Sequence, residues 1–155
     1  MARINGNNGD NSFQGTGSSD KIYAKGGDDQ VAAGGGNDYV DAGSGNDVVD
    51  GGTGNDKLKG GSGDDTLSGG AGADKLYGGD GNDILMGDDQ SGVGSGSGSG
   101  SGSGWGSGSG SASGSHHGSG SGSGSADASF NDYLDGGSGD DLVLGQLGND
   151  TLKGG

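Results

Sequence analysis

A nine-residue period runs through most of this chain and limits what it can fold into. The period begins at Gly6 and continues without a slip to Met86, and three further copies occupy residues 127–153. Together the 12 repeats cover 108 of the 155 residues. A repeat this short cannot enclose a core of its own, so each copy must bury its apolar side chain against its neighbours in a stacked solenoid.

Three columns carry the pattern when the copies are aligned. The sixth column is Asp in 11 of 12 copies, with Asn11 in the first, and the fourth column is Gly in 10 of 12. The eighth column is a large apolar residue in every copy, from Phe13 to Leu152. Glycine at fixed positions permits a positive φ, and one apolar residue between polar ones is typical of a very short strand. We therefore predict that each repeat is a six-residue turn followed by a three-residue strand.

The composition excludes several classes of function. The chain has 46 Gly and 22 acidic residues, all of them Asp, no Pro, Cys or Glu, and a formal net charge of −15. This charge would repel nucleic acid, and no apolar run approaches the ~20 residues of a membrane span. Without Cys or Glu there is no thiol nucleophile and no H-E-x-x-H zinc motif, so we expect no enzyme activity. Asp alone beside Gly suggests short carboxylates held near tightly turning backbone, which is the chemistry of a calcium loop.

The repeat, written G-G-x-G-x-D-x-U-x with U a large apolar residue, resembles the RTX (repeats-in-toxin) nonapeptide family. The clearest copies are residues 51–59 and 60–68. The resemblance implies an all-β fold, namely a right-handed parallel β-roll solenoid with two nonapeptide repeats per turn, here carrying a Gly/Ser-rich insertion. It also implies Ca²⁺ between successive turns, about 7–10 ions in a chain of this length.

The same resemblance implies that repeats i and i+2 share each ion through sixth-column carboxylates and turn carbonyls. The implied side-chain ligands are Asp20, Asp29, Asp38, Asp47, Asp56, Asp65, Asp74, Asp83, Asp132, Asp141 and Asp150. The implied backbone carbonyl ligands belong to Gly43, Gly45, Gly52, Gly54, Gly61, Gly63, Gly70 and Gly72. We expect weak calcium sites where Thr16 and Lys25 occupy the second column, where Asn11 replaces Asp, and where residues 127–130 have lost the Gly turn.

Calcium is expected to be a requirement for folding. One apolar side chain per nine residues cannot by itself offset the conformational entropy of ordering a chain so rich in Gly. Stacked Asp carboxylates would in addition repel one another in the absence of a cation. Metal binding would then supply the missing folding free energy. Mg²⁺ should substitute poorly, because it demands octahedral geometry and gives up water reluctantly.

The chain divides into three segments. Residues 1–90 form a β-roll of nine nonapeptide repeats plus an N-terminal half-repeat, 91–126 a Ser/Gly low-complexity insertion, and 127–155 a β-roll continuation of three repeats. Gly87 and Asp88 can serve as the first two positions of the tenth repeat, before the chain leaves the roll.

The insertion alternates Gly with Ser and allows two interpretations. It is either a flexible linker or a silk-like strand with Gly on one face and Ser on the other. Trp105 is correspondingly either an anchor on a neighbouring surface or a lone exposed ring. His116 and His117 are adjacent, so on a strand they would point to opposite faces, and a shared transition metal is not expected.

Two functions fit these features. The first is a calcium-binding extracellular structural protein that folds on Ca²⁺ and assembles head to tail into filaments, a matrix or a surface layer. The second is a C-terminal RTX calcium-binding or secretion module of a larger secreted toxin or enzyme. Both place the chain outside the cell, with the cell surface as one destination. The expected partner is another copy of the chain, because neither end of the roll shows a recognisable polar cap.

Overall fold

The structure is a computed structural model that describes residues 1–88, the backbone of 112–113, and residues 130–155. The described residues form 14 β-strands and no α-helix. The strands are β1 Arg3–Asn5, β2 Ser12–Thr16, β3 Lys21–Gly26, β4 Gln30–Gly34, β5 Tyr39–Ser44, β6 Val48–Thr53, β7 Lys57–Ser62, β8 Thr66–Ala71, β9 Lys75–Asp80, β10 Ile84–Met86, β11 Ala112–Ser113, β12 Tyr133–Ser138, β13 Leu142–Leu144 and β14 Thr151–Lys153.

Successive strands of the roll alternate between two seven-stranded sheets. The first sheet has the order β1-β3-β5-β7-β9-β12-β14, and the second has the order β11-β13-β10-β8-β6-β4-β2. Neighbouring roll strands are parallel and are shifted by two whole repeats, so that Leu58 lies opposite Leu76 and Val49 opposite Leu67. This shift confirms the predicted all-β parallel solenoid with two repeats per turn.

The strands are longer than the sequence pattern predicted. Most continue through the last column of one repeat into the first columns of the next, as in β7, where partly buried and buried positions alternate along Lys57–Gly61. The inward positions are therefore the eighth column and the following first column.

The core is a ladder of eighth-column side chains. Ten of the 12 are buried, from Ile22 to Val143, whereas Phe13 and Leu152 at the ends are only partly buried. Ala24, Ala33 and Ala42 in the first column are also buried. Their burial was not predicted from the repeat, and it follows from the two-residue alternation of a strand that extends past its eighth column.

The interruption after the ninth repeat leaves the stacking intact. Strand β12 pairs with β9 and β13 with β10, so the two strands that follow the insertion stack directly on the two that precede it. The inserted segment therefore enters and leaves at one turn of the roll. Tyr133 occupies the place above Lys75 that an uninterrupted repeat would supply.

Among its few described residues, the insertion contributes one short strand to the roll. Strand β11 pairs antiparallel with the outer edge of β13, with Ala112 opposite Val143 and Ser113 opposite Leu142. The expectation that neither end has a cap is therefore corrected at this edge, where unpaired backbone groups of β13 accept a strand that lacks the repeat pattern. The remaining predictions for the insertion, including those for Trp105, His116 and His117, lie outside the described residues.

Candidate metal centre

The sixth-column Asp side chains form continuous ladders along the turns. All of them from Asp20 to Asp141 are buried, most with only 1–3% of their surface exposed. One carboxylate oxygen, Oδ1, accepts the backbone N–H of the sixth-column residue two repeats earlier. Thus Asp56 Oδ1 accepts from Asp38 N at 2.7 Å, and Asp74 Oδ1 accepts from Asp56 N at 2.7 Å. The turn backbone therefore holds each carboxylate in a fixed orientation.

The second carboxylate oxygen, Oδ2, is buried and has no hydrogen-bond partner along most of the ladder. This holds for Asp29, Asp38, Asp47, Asp56, Asp65, Asp74, Asp83, Asp132 and Asp141. A buried acceptor without a donor costs free energy, more so when it carries charge. Nine such atoms at equivalent positions are not a packing accident, and they are the ligand atoms that a hard cation would use.

Asp20 and Asp150 are the two sixth-column Asp residues outside this set. Asp150, in the last repeat, is only partly buried. The local sequence explains the difference at Asp20. Its Oδ2 accepts hydrogen bonds from Thr16 N at 2.7 Å and from Thr16 Oγ1 at 2.8 Å. The Ala2 N–H on the other oxygen and the Thr16 hydroxyl together lower the pKa of Asp20. Thr16 replaces Gly in the second column, and its two donors satisfy the carboxylate oxygen that has no hydrogen-bond partner along most of the ladder.

Burial makes the interior of the ladder hard to ionise without a cation. It raises the pKa of Asp56, Asp65, Asp74 and Asp132 to about 7, and like-charged neighbours in the ladder add to the effect. The pKa values of Asp38, Asp47, Asp83 and Asp150 are raised for the same first cause. A metal that bound these carboxylates would displace protons, so its affinity must fall in acid.

The turn glycines named as carbonyl ligands all have left-handed backbone. Gly43, Gly45, Gly52, Gly54, Gly61, Gly63, Gly70 and Gly72 have φ between +95° and +143°. Their carbonyls point along the stack: a Cβ added to Gly63 would lie 2.2 Å from Gly45 O, and one added to Gly61 would lie 2.0 Å from Gly43 O. Gly adopts this conformation without strain and has no Cβ to meet the preceding turn. Lys25 and Gln146, both in the second column, are the non-Gly residues with a positive φ among the described residues.

Side chains alone do not complete a metal site. Within residues 1–88 and 130–155, no three carboxylate or imidazole groups converge as a metal-binding cluster. A Ca²⁺ ion takes 6–8 oxygen ligands and accepts carbonyls as readily as carboxylates. The described residues thus fit calcium if the orphaned Asp oxygens act together with second- and fourth-column carbonyls, but they do not fit a metal that needs a side-chain cage.

Comparison with protein families agrees with this chemistry. A family model described as the RTX calcium-binding nonapeptide repeat matches four stretches, residues 5–40, 23–58, 59–93 and 128–155. This chain belongs to the RTX calcium-binding nonapeptide repeat family. A search of curated proteins gave no match. Among the described residues, no helix has the length and apolar character needed to cross a membrane.

The first column of the RTX repeat is kept small by the carboxylate of the same repeat. A Cβ added to Gly60 would lie 2.2 Å from Asp65 Oδ2, and one added to Gly87 would lie 2.2 Å from Asp132 Oδ2. Gly87 therefore occupies the first column of the tenth RTX repeat, although the insertion separates it from Asp132. Phe130 takes the fourth column, because its carbonyl oxygen lies beneath Gly148.

Asp88 is a candidate ligand that the repeat pattern did not indicate. It occupies the second column of the tenth RTX repeat, is 2% exposed, and accepts the Leu147 N–H on Oδ2 at 2.8 Å. Its Oδ1 is buried without a partner, and burial raises the pKa of Asp88 to about 7. One sequence signal could have indicated Asp88 as a ligand. Gly87 and Asp88 were assigned to the first two columns of the tenth repeat, and this places a carboxylate in a column where most copies have Gly.

Proposed function

We propose that this chain is a structural protein that folds when it meets extracellular calcium, and that it performs no catalysis. The observation that carries the proposal is the row of nine buried Oδ2 atoms without donors. A fold whose interior holds that many unsatisfied acceptors is complete only with cations beside them.

In this proposal the chain's own residues orient the ligand oxygens, and calcium binds between them. Backbone N–H groups orient each Asp through Oδ1, the first-column Gly leaves space beside Oδ2, and the left-handed turns aim their carbonyls along the stack. Calcium supplies the positive charge that a solenoid of this net charge lacks. Each ion would link repeat i to repeat i+2, which makes binding and stacking a single process.

The proposed location follows from the strength that such sites reach. Each would offer two carboxylates with the remaining ligands from neutral carbonyls, and calcium affinity is tuned by ligand charge and rigidity. Extracellular modules bind calcium with Kd on the order of 10⁻⁴–10⁻³ M, which is too weak to fill in a cytosol. The chain would therefore stay unfolded inside the cell and fold after export.

Circular dichroism with calcium and with EDTA tests the proposal. We expect a β-sheet spectrum in millimolar Ca²⁺, an unfolded spectrum in EDTA at pH 8, and little recovery in equal Mg²⁺. Asp64→Asn is the matched control variant, because Asp64 is an exposed turn residue and an amide oxygen can still accept the Asn82 N–H. An identical β-sheet spectrum in EDTA would overturn calcium-triggered folding.

Head-to-tail assembly is the second part of the proposal, and β11 occupies an edge that assembly would need. In the described residues the sheets end at β1 and β2 on one side and at β11 and β14 on the other. A second copy that continued the repeat would place its β1 against the edge of β13, which β11 already covers. Growth would require that β11 be displaced.

Light scattering in saturating calcium tests this competition. Replacing residues 89–129 by a single Gly should keep the nine-residue repeat, free the β13 edge, and promote filaments at lower protein concentration than the full chain requires. If the shortened chain stayed monomeric at high concentration while its calcium-dependent spectrum was intact, the assembly proposal would be wrong and calcium-triggered folding would stand.

A further inference from the structure

The two sheets of the roll present different faces. All seven Lys and Arg residues and all four Tyr residues of the chain lie in the first sheet: Arg3, Lys21, Tyr23, Lys25, Tyr39, Lys57, Lys59, Lys75, Tyr77, Tyr133 and Lys153. The described strands of the second sheet carry none of these residue types. Their outward side chains include Val48, Ile84 and Leu142, which are exposed.

The first face contains a cluster built from four neighbouring strands, which we call the N-terminal cluster. The Arg3 guanidinium lies 5.4 Å from the centre of the Tyr23 ring, and the Tyr23 and Tyr39 ring centres are 5.7 Å apart. The Tyr39 hydroxyl donates to Asp41 at 3.3 Å, and Lys59 lies opposite Asp41 on the next strand. A cation, two tilted rings, a carboxylate and a second cation thus follow one another along the roll axis.

The same arrangement recurs three strands further along, in the C-terminal cluster. Lys57 Nζ lies 5.4 Å from the centre of the Tyr77 ring, and the Tyr77 and Tyr133 ring centres are 5.8 Å apart. Tyr133 donates to Asp135 at 3.4 Å, and Lys153 Nζ lies 2.9 Å from that carboxylate. With strands ~4.8 Å apart, the two clusters are offset by about 14 Å along the axis.

Sheet stability does not explain this arrangement. Cross-strand aromatic and charge pairs stabilise either sheet of a solenoid equally, by about 0.2–1 kcal/mol each. Both sheets have seven strands, and in both the roll strands pair in parallel with the same shift of two repeats. Among the described strands, only the first sheet carries Tyr, Lys or Arg. The segregation and the duplication therefore point to a ligand that meets this face and has its own repeat.

The chemistry of the clusters narrows the class of ligand. Against seven cations, the strands of the first sheet carry only Asp41, Asp80 and Asp135, so the face is positive although the chain as a whole is strongly negative. Tyr rings pack against the apolar faces of ring-shaped groups. Tyr hydroxyls and Lys can donate hydrogen bonds to hydroxyl and carboxylate groups, and Asp can accept them from hydroxyl groups. Two equivalent sites in line suit a linear polymer, which gains affinity by engaging both.

We propose that the first sheet binds a linear acidic polysaccharide that lies along the roll axis. The acidic turns border this face and would repel a polyanion placed off the sheet, which keeps the chain on the two clusters. Binding requires the folded sheet, so the inference rests on calcium-triggered folding. The surface would be assembled only where calcium is present.

Hyaluronan is a suitable probe, because it is a linear uronic-acid polymer that does not gel with calcium. Binding to immobilised hyaluronan is measured in saturating calcium at about 0.15 M salt, with neutral dextran and single-stranded oligo-dT as comparisons. Circular dichroism of the same samples reports folding separately. We expect hyaluronan to bind, dextran and oligo-dT to bind at least tenfold more weakly, and higher salt to weaken the hyaluronan complex.

Matched variants on the two faces locate the site. Tyr23→Ala with Tyr77→Ala removes one ring from each cluster, and Gln14→Ala with Met86→Ala changes the corresponding column of the second sheet. We expect at least a tenfold loss for the first pair and less than a twofold change for the second. Lys57→Gln with Lys59→Gln provides an independent test, because it removes charge from both clusters and leaves all four rings.

Several outcomes would overturn the proposal while the spectrum shows a folded roll. The unchanged chain would fail to bind hyaluronan, or the Tyr and Lys variants would bind it as tightly as the unchanged chain does. Alternatively, the chain would bind dextran as tightly as hyaluronan, or it would bind oligo-dT as tightly as hyaluronan. The last result would identify a general polyanion or nucleic-acid surface. A chain that failed to fold in calcium would instead refute the folding proposal.

Discussion

Replacing Asp56 by Asn should stabilise the metal-free roll and weaken its binding of calcium. The Asn side chain has the same shape, and its oxygen can still accept the Asp38 N–H that Asp56 Oδ1 accepts at 2.7 Å. What changes is the charge of a side chain that is 2% exposed and whose Oδ2 has no donor. The substitution therefore tests whether the buried carboxylate destabilises the metal-free roll and is stabilised by bound calcium.

The magnitude follows from the raised pKa. Burial raises the pKa of Asp56 from 3.8 to about 7, which corresponds to ~4 kcal/mol at about 1.4 kcal/mol per unit. Because the effective dielectric constant around charges in proteins is well above that of a dry interior, we reduce this to about 2 kcal/mol. At pH 8 Asp56→Asn should stabilise the metal-free roll by that amount. It should also raise the calcium midpoint roughly tenfold, because ligand charge sets calcium affinity.

Two titrations followed by circular dichroism at pH 8 measure these effects. Trimethylamine N-oxide drives folding in EDTA, and its midpoint reports the metal-free stability even where the roll is unfolded in plain buffer. A calcium titration gives the second quantity. Asp64→Asn, which changes the same charge on an exposed turn residue, should leave both midpoints nearly unchanged. A lower metal-free stability or an unaltered calcium midpoint for Asp56→Asn would refute the assignment of Asp56 as a buried ligand.

Three other results are expected. In EDTA the roll should gain β structure as the pH is lowered from 8 to 4. The pKa of Asp65, for example, is 3.8 in the unfolded chain and about 7 in the roll, so the folded state is most stable below pH 3.8 and loses this stability as the pH rises through about 7. Gly63→Ala should cost about 2–4 kcal/mol in calorimetry with calcium, because its φ is +120° and its Cβ would meet Gly45 O, whereas Ser62→Ala should cost under about 1. Asp88→Asn should raise the calcium midpoint and leave the metal-free roll more stable, and an effect no larger than that of Asp64→Asn would exclude Asp88 as a ligand.

The stacking was predictable from the sequence because one period controls it. A side chain such as Leu76 is buried only if the copies two repeats before and after it present the same face, so a nine-residue pattern over 12 copies admits few arrangements. The sixth-column ladder was predictable for the same reason. Glycine at the fourth column also signals the turn, since the left-handed φ of Gly63 strains any other residue.

Features that depend on neighbouring turns were not predictable from one repeat. Thr16 breaks the consensus, but only the structure shows that its hydroxyl satisfies Asp20. Asp88 lies far along the chain from Leu147, its hydrogen-bond donor, on the other side of the insertion. The ring pair Tyr77–Tyr133 likewise joins residues on either side of the insertion, and its resemblance to Tyr23–Tyr39 is visible only when strands are read in spatial order.

The position of the insertion connects these observations. It enters after Asp88 and the roll resumes at Phe130, so it divides a turn of the tenth repeat and leaves the strand of that repeat whole. A turn is the place where extra chain costs least, because loop-closure entropy grows only slowly with length and no ladder hydrogen bond is lost. The register across it preserves both the Asp ladder, through Asp74 and Asp132, and the second ring pair on the first sheet. An insertion at this turn leaves the spatial order of the strands unchanged, so the residues of both clusters keep their neighbours.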